Sequence, residues 1–505
     1  MFNTTSKNNQ NKSDFMRLGL AILFILGILL YTYLSGFVSI ELMIAASIGG
    51  YMAINIGAND VANNVGPAVG SKALTLGAAI VLAAVFESMG AVLAGGNVIS
   101  TIKKGIIDPS MIADPAIFIW LMMAALLAGS IWLNLATAFG APVSTTHSIV
   151  GGVLGAGIAA GGLDIANWGK MGSIAASWII SPVLGGIIAA LFLYWIKRSI
   201  TYKTDKIAAS KTWVPILIGL MAWAFSTYLA LKGLKKLWKI DIYTATGIGF
   251  TVALLIFFYM RSTIAKRSSE MKNDKESVNK LFTVPLIFAA ALLSFAHGAN
   301  DVANAIGPLA AINDAIQSGG VNSKAEIPLW VMLIGALGIA LGLALYGPKL
   351  IKTVGTEITD LNQLRSFSVV MAAAITVIIA SQLGLPVSST HIAVGGIFGV
   401  GFLREYLKEK HDKRVHEVKH HHSHLDDDSI GQHIDDYDKA SRRNKIETIS
   451  NIRSKRKHHP IFQLEKQHLV KRDLVMKIAA AWIITVPATG LMAAGLFFVI
   501  KAIQS

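Results

Sequence analysis

"NIGANDVANNVGP" runs from Asn55 to Pro67 and sets an aspartate, Asp60, among four asparagines in a stretch that otherwise has the composition of an apolar helix. The motif returns at 298–308 as "GANDVANAIGP", 241 residues further on, with Asp301 in the place of Asp60. A second pair keeps nearly the same spacing: "GAPVSTTHSIVGGVLGAG" at 140–157 matches "GLPVSSTHIAVGGIFGVG" at 384–401, and "SWIISP" at 177–182 is echoed by "AWIITVP" at 481–487. A unit of five apolar segments, 39–196, therefore recurs as 281–404 and 476–505, with an insertion, 405–475, between the last two elements of the second copy. Self-similarity of this kind sets the architecture before any single segment is read.

The composition says what solvent these segments meet. The chain has 505 residues, 53% hydrophobic and 15% charged, with a mean hydropathy of +0.55. Soluble domains carry about 25% charged residues, so a multi-pass membrane protein is expected. There are no cysteines, which excludes disulfides, thiolate metal centres and cysteine nucleophiles. A net charge of +15 would suggest nucleic acid in a soluble protein, but here Lys and Arg sit between apolar runs, so they read as positive-inside topology and no nucleic-acid partner is expected. The polar start, "MFNTTSKNNQNKSDFMR", precedes an apolar run, Leu18 to Leu34, with no small-residue cleavage site, so 1–38 reads as a tail and an uncleaved extra helix.

A crossing needs roughly 20 apolar residues. Thirteen segments qualify as candidates, some of which need only half-cross: 17–36, 39–66, 72–97, 115–139, 142–162, 172–196, 214–231, 242–260, 281–311, 326–347, 365–384, 386–404 and 477–500. The basic connections 197–211, 261–280 and 404–472 then fall on one side, which the positive-inside rule makes cytoplasmic. The N-terminus is inside and the C-terminus outside, with a plasma (inner) membrane location; the short basic stretch Lys232–Lys239 lies on the wrong side. Residues 197–280 supply two linking helices. Seven segments separate the starts of the two units, an odd number, so the copies lie upside down relative to each other. The expected fold is an all-α polytopic membrane protein of two inverted-topology five-segment repeats with discontinuous helices, plus extra helices. Secondary transporters of this kind hold their site at the repeat interface near the midplane.

The "PVSTTH" motif supplies one half of such a site. Pro142 ends the preceding helix, because the residue before a proline avoids the helical region. Ser144, Thr145 and Thr146 then open a new helix, with Ser144 as its N-cap. A helix start inside a membrane carries N–H groups that hydrocarbon cannot satisfy. An anion there would meet N–H groups, a helix dipole and three hydroxyls. Pro386, Ser388, Ser389 and Thr390 repeat the device, and two facing copies suit a tetrahedral oxyanion. A hydroxyl-rich hinge that satisfies its own backbone is the competing reading, and it weakens when the motif occurs twice.

The "GAND" motif supplies the other half. A carboxylate in the bilayer interior costs about 3 kcal/mol on some scales. Gly57, Gly66 and Pro67 are expected to loosen the helix and free carbonyls, which with Asp60, Asn59 and Asn63 make an all-oxygen site; Asp301, Asn300 and Asn304 repeat it. Such ligands suit a hard cation such as sodium. No Lys or Arg lies within the four motifs. A divalent oxyanion beside two ionised aspartates would carry a charge of about −4 against helix dipoles of about half a charge each. A cation must therefore enter with the anion, or the aspartates must be protonated, which points to symport with sodium or protons. Sodium is the candidate coupling ion beside protons, and no resident cofactor is expected.

Further polar groups lie in apolar segments. His147 and His391 follow their Ser/Thr triplets and read as hydroxyl-orienting or proton-relaying groups, or as buried structural histidines. His297 carries less weight because Ile56 holds its place in the first copy, and Glu87 is an intramembrane carboxylate without a counterpart in the second. The insertion 405–475 holds ten of the 13 histidines, including His420–His421–His422, and Asp426–Asp427–Asp428. It reads as a disordered or partly helical cytoplasmic loop, with metal binding less favoured. A regulatory partner there, and a homodimer, are further candidates.

At these four motifs the chain closely resembles the inorganic phosphate transporter (Pit) family of sodium- or proton-coupled symporters. The resemblance covers both repeats and implies alternating access. It also implies phosphate held by Ser144, Thr145, Thr146, Ser388, Ser389 and Thr390, and sodium held by Asp60, Asn63, Asp301 and Asn304. The 17–36 helix and the His-rich insertion depart from the family pattern. So does the lack of an acid in "SFSVVMAAAITVIIAS" before the second "PVSSTH", where many members carry a glutamate. Sulfate or another oxyanion is the alternative cargo on the same fold, and a passive anion channel is the nearest reading of another class. An intramembrane aspartyl protease also needs two carboxylates, but it has no need of duplicated asparagines or Ser/Thr helix starts.

Overall fold

The computed structural model describes residues 2–36, 39–139, 143–232, 240–319, 327–356, 361–421 and 472–504, with short helical pieces between 429 and 450. Its long elements are α1 (Phe2–Leu34), α2 (Ile40–Asn59), α3 (Val61–Gly70), α4 (Leu76–Ala94), α5 (Gly96–Lys104), α6 (Pro115–Phe139), α7 (Thr145–Gly161) and α8 (Trp168–Ile196). They continue as α9 (Lys206–Lys232), α10 (Ile242–Ser268), α11 (Lys275–Leu281), α12 (Thr283–Ser318), α13 (Leu329–Thr356), α14 (Gln363–Gln382), α15 (Ser389–His421) and α16 (Arg472–Gln504). Polar side chains set where several begin: Ser39, Thr75, Asn167, Asp241, Asp274 and Asn362 each accept a hydrogen bond from a first-turn N–H.

Among the described residues, 11 helical stretches are long and apolar enough to cross a membrane. The two expected segments outside that set, 142–162 and 386–404, correspond to α7 and the first half of α15, the return arms of two helical hairpins. In the first, Gly152 packs on Ala125 and Gly129 faces Ile149, so α6 and α7 run antiparallel. In the second, Gly396 packs on Val369.

The two hairpins enter from opposite faces. Lys197, Lys275, Arg365 and Arg404 gather on one face, where Asn273 donates to the Thr204 carbonyl at 2.9 Å and ties two basic connections together. The second hairpin opens on this basic face, because the Leu364 N–H donates to Asn279 Oδ1 at 3.1 Å. The first opens on the other face, where the Asp108 N–H donates to the Ile165 carbonyl at 2.8 Å. α12 starts at the basic face and ends beside Lys103, which pairs with Asp314 at 2.8 Å. α2 runs the other way, since Gly49 faces Leu309 while Asp60 meets Asp301.

The repeats are interleaved rather than side by side. α2 packs on α13 of the other repeat, and α12 packs on α4. Both crossings depend on the glycine of GAND: a Cβ on Gly57 would collide with the Ile339 carbonyl, and one on Gly298 with the Glu87 carbonyl. Here glycine permits close backbone approach rather than loosening the helix. The first copy breaks for one residue at Asp60, between α2 and α3, whereas α12 runs unbroken for 36 residues. Of the three residues expected to free carbonyls, the proline does so. Pro67 and Pro308 lie inside their helices and lack the N–H that would bond the carbonyls of Asn63 and Asn304.

Two boundaries differ from expectation. α1 begins at Phe2 rather than at residue 17. Residues 2–16 contain no Pro or Gly, so the helix of the apolar run propagates back through them. α15 continues to His421, and Val418 packs with Tyr437 and Ile449, so the insertion opens as ordered helix. His422, Asp426–Asp428, Pro142 and 233–239 lie outside the described residues.

Candidate functional site

The hairpin tips meet the two GAND motifs in the middle of the molecule, and every expected hydroxyl and carboxylate there is 3% exposed or less. Ser144 and Ser388 act as N-caps, accepting from the N–H groups of His147 at 3.1 Å and His391 at 3.3 Å. The next residues serve the carboxylates: Thr145 Oγ1 donates to Asp60 Oδ2 at 2.6 Å, and Ser389 Oγ donates to Asp301 Oδ2 at 2.7 Å. Thr390 Oγ1 also donates to Asp60 Oδ1, at 3.3 Å.

The last asparagine of each GAND motif reaches across to the other repeat. Asn63 Nδ2 donates to Thr390 Oγ1 at 2.8 Å. Asn304 Nδ2 donates to Thr146 Oγ1 at 3.2 Å and to Thr145 Oγ1 at 3.1 Å. The Asn63–Thr390 and Asn304–Thr146 bonds occupy matching positions, so the interface has approximate two-fold symmetry. All six hydroxyls are engaged with protein, since Thr146 gives its own proton to the Val387 carbonyl at 2.9 Å and Ser144 and Ser388 are engaged as acceptors. Two acceptors stand out at matching positions: Asn63 Oδ1 and Asn304 Oδ1 are buried and have no partner among the described residues. A buried acceptor left open in both halves calls for a donor or a cation.

Asn59 and Asn300 play supporting parts. Asn59 Nδ2 donates to Thr137 Oγ1 at 3.0 Å. Asn300, with its amide oriented to satisfy both ends, donates to Asp301 Oδ1 at 3.1 Å and to the Val387 carbonyl at 3.1 Å, and accepts from Ser381 Oγ at 2.9 Å.

Charge breaks the symmetry. His297 lies with Nε2 at 2.6 Å from Asp301 Oδ2 and Nδ1 at 3.2 Å from Glu87 Oε1, and Asn64 Nδ2 donates to the same Glu87 oxygen at 2.8 Å. Glu87 therefore has a partner, and His297 deserves more weight than its missing counterpart suggested. The equivalent places on the Asp60 side hold Ile56, by sequence offset, and Ile339, by packing against Gly57. The imidazole and the extra carboxylate are thus supplied from one side only, the side of Asp301, and isoleucines hold the matching places on the other. One ligand atom each from Asp60, His297 and Asp301 lie within 4.8 Å of one another, so the centre is not purely oxygen as expected. The signal for Glu87 and His297 was present in the sequence, since each is an ionisable group in an apolar segment. Their pairing was hidden because it joins α4 of one repeat to α12 of the other.

His147 and His391 do not touch the carboxylates. Their rings meet edge to face at 4.5 Å between centroids, flanked by Trp178 at 3.9 Å from His147 and Trp482 at 3.6 Å from His391. They form an aromatic stack behind the two helix starts and join the hairpins through their rings.

The arrangement can hold a compact anion between two helix starts while carboxylates and amide oxygens hold small cations. Comparison with known proteins agrees. Residues 56–493 match the model of the Phosphate transporter family. A candidate phosphate permease of Helicobacter pylori is 47% identical over 524 aligned positions, covering 100% of this chain and 98% of that protein. A candidate phosphate permease of Pyrococcus furiosus is 41% identical over 363 positions, 72% of this chain and 87% of its own. Among solved structures, one titled "The sodium-dependent phosphate transporter" superposes with a TM-score of 0.76 at 33% identity, covering 92% of this chain and 100% of its own. The chain belongs to the Phosphate transporter family, and is a multi-pass membrane transporter of phosphate rather than an enzyme.

Proposed function

We propose that this protein is a sodium-coupled phosphate symporter in which the cations release the hydroxyls that bind the anion. One observation carries this reading. Thr145 and Ser389, the first helical residues behind the two caps, give their protons to Asp60 and Asp301 at 2.6 and 2.7 Å. In that state two of the anion's donors are spent on carboxylates, and a phosphate would meet two aspartates with no cation held between them and it. Sodium held by Asp60 with Asn63 Oδ1, and by Asp301 with Asn304 Oδ1, gives each carboxylate a better partner. A hydroxyl has two lone pairs and one proton, so Thr145 and Ser389 can turn their oxygens to the cation and their protons to phosphate.

The charge balance agrees. Two aspartates and a hydrogen phosphate total about −4; two sodium ions reduce this to about −2, facing two helix dipoles of about half a charge each. Phosphate alone therefore binds poorly, and sodium alone leaves the site unfilled, which is the requirement for symport. Hydrogen phosphate keeps a proton that needs an acceptor, whereas sulfate has none to give, so a carboxylate oxygen near the anion favours phosphate. We assign the basic face to the cytoplasm of the plasma membrane. The N-terminus is then inside and the C-terminus outside, and the two hairpins, entering from opposite faces, provide alternating access. Titration calorimetry on the purified protein tests the coupling: phosphate should bind in sodium and give no heat in choline at equal ionic strength. Equal phosphate affinity in both salts would refute it.

A further inference from the structure

A cavity of about 180 Å³ lies between the linking helix α9 and the core helices α4 and α12, lined only by apolar side chains that include Leu82, Phe86, Met221, Phe225, Phe288 and Ala291. It opens sideways, where Phe288 is 38% exposed. Ile287 and Phe288 stand four and five residues inside the first residue of α12, about 6–8 Å at 1.5 Å per residue. The cavity therefore sits one helical turn below the basic face, at the depth of acyl chains in that leaflet. α11 covers the top: its Val278 and Leu281 belong to the same apolar cluster as Met221 and Leu292 of the cavity wall. The rim above is cationic. Residues 197–211 and 261–280 carry 11 Lys and Arg against four Asp and Glu, and Lys72, in the turn between α3 and α4, is exposed.

We propose that this cavity and its rim bind one anionic phospholipid, with an acyl chain between α9, α4 and α12 and the phosphate headgroup on the lysines of α11 and its neighbours. An unfilled apolar pocket facing hydrocarbon has no reason to stay empty, and charge complementarity selects the headgroup. The wall touches the transport machinery at two points. Phe86 is the neighbour of Glu87, and Phe225 packs edge to face on Phe295, with ring centroids 5.3 Å apart and two residues before His297. Lipid occupancy thus buttresses the Glu87–His297 contact between the repeats.

The test is native mass spectrometry on protein exchanged into micelles containing equal phosphatidylglycerol and phosphatidylcholine, with uptake measured in parallel in vesicles of either lipid. The wild type should retain one phosphatidylglycerol in preference to phosphatidylcholine by at least fivefold, and phosphatidylglycerol should stimulate its uptake severalfold. Ala291→Phe fills the cavity and should lose both effects. Lys275→Gln with Lys280→Gln, both at the surface, should keep a bound lipid but lose the headgroup preference, and this arm stands even if Ala291→Phe does not fold. Retention of no lipid by the wild type, equal retention of the two headgroups, or an unchanged preference in the lysine variant would overturn the proposal. None of these outcomes bears on sodium coupling, which is read separately from sodium-dependent uptake.

Discussion

Replacing Asp60 by asparagine isolates the role of one charge. Asp60 accepts from Thr145 at 2.6 Å and from Thr390 at 3.3 Å. Asparagine has the same shape; its oxygen keeps the Thr145 bond, and its amide can donate to Thr390, whose oxygen has one lone pair left beside the one that accepts from Asn63. The empty transporter should therefore fold. What disappears is a unit charge about 4 Å from a bound cation, worth about 4 kcal/mol at an effective dielectric of about 20. That is about a thousandfold in cation affinity, and half the value would still be about thirtyfold. We predict that Asp60→Asn protein is monodisperse in detergent, unfolds within a few degrees of the wild type, and needs at least thirtyfold more sodium for half-maximal phosphate uptake. The assay is uptake of labelled phosphate into proteoliposomes across a sodium series at fixed ionic strength. A folded variant with unchanged sodium dependence would refute the cation reading of Asp60.

Other outcomes follow from the same contacts. Asp301→Asn should abolish concentrative uptake at sodium levels that saturate the wild type, checked by labelled-phosphate accumulation against a gradient. His297→Ile strands Glu87 and Asp301 without their shared partner, and breaking a buried pair of this kind costs about 3–5 kcal/mol. The double variant Glu87→Ile, His297→Ile copies the Ile339 and Ile56 arrangement of the other side and should recover most of that loss in thermal unfolding. Asn63→Leu and Asn304→Leu each cut a cross-repeat bond and should weaken phosphate binding about equally, by tenfold or more in calorimetry, because the Asn63–Thr390 and Asn304–Thr146 contacts are equivalent. Deleting 415–465 should leave sodium-dependent uptake within twofold of wild type, since Val418, Tyr437 and Ile449 pack with each other and not with the site.

Much of this molecule could be read from its sequence because it was written twice. Duplication made the aspartates of 55–67 and 298–308 legible as a pair, and Ser144 and Ser388 behave as the caps their neighbours predict. What stayed hidden involved residues brought together by interleaving. Local pattern could not show that Gly298 lets Glu87 approach α12, or that His297 then bridges Glu87 and Asp301. Nor could it show that hydroxyls expected to face an anion are turned onto the carboxylates, because that depends on which group is the stronger acceptor once the site is closed.

The central claim is coupling. Proteoliposomes loaded without phosphate and given an inward sodium gradient, or an inward proton gradient in sodium-free buffer, test it when labelled phosphate is followed with and without excess sulfate. Sodium should drive accumulation above the external concentration, the proton gradient alone should not, and sulfate should compete weakly. Accumulation driven by protons alone, equilibration without accumulation, or full displacement by sulfate would contradict a sodium-coupled phosphate symporter.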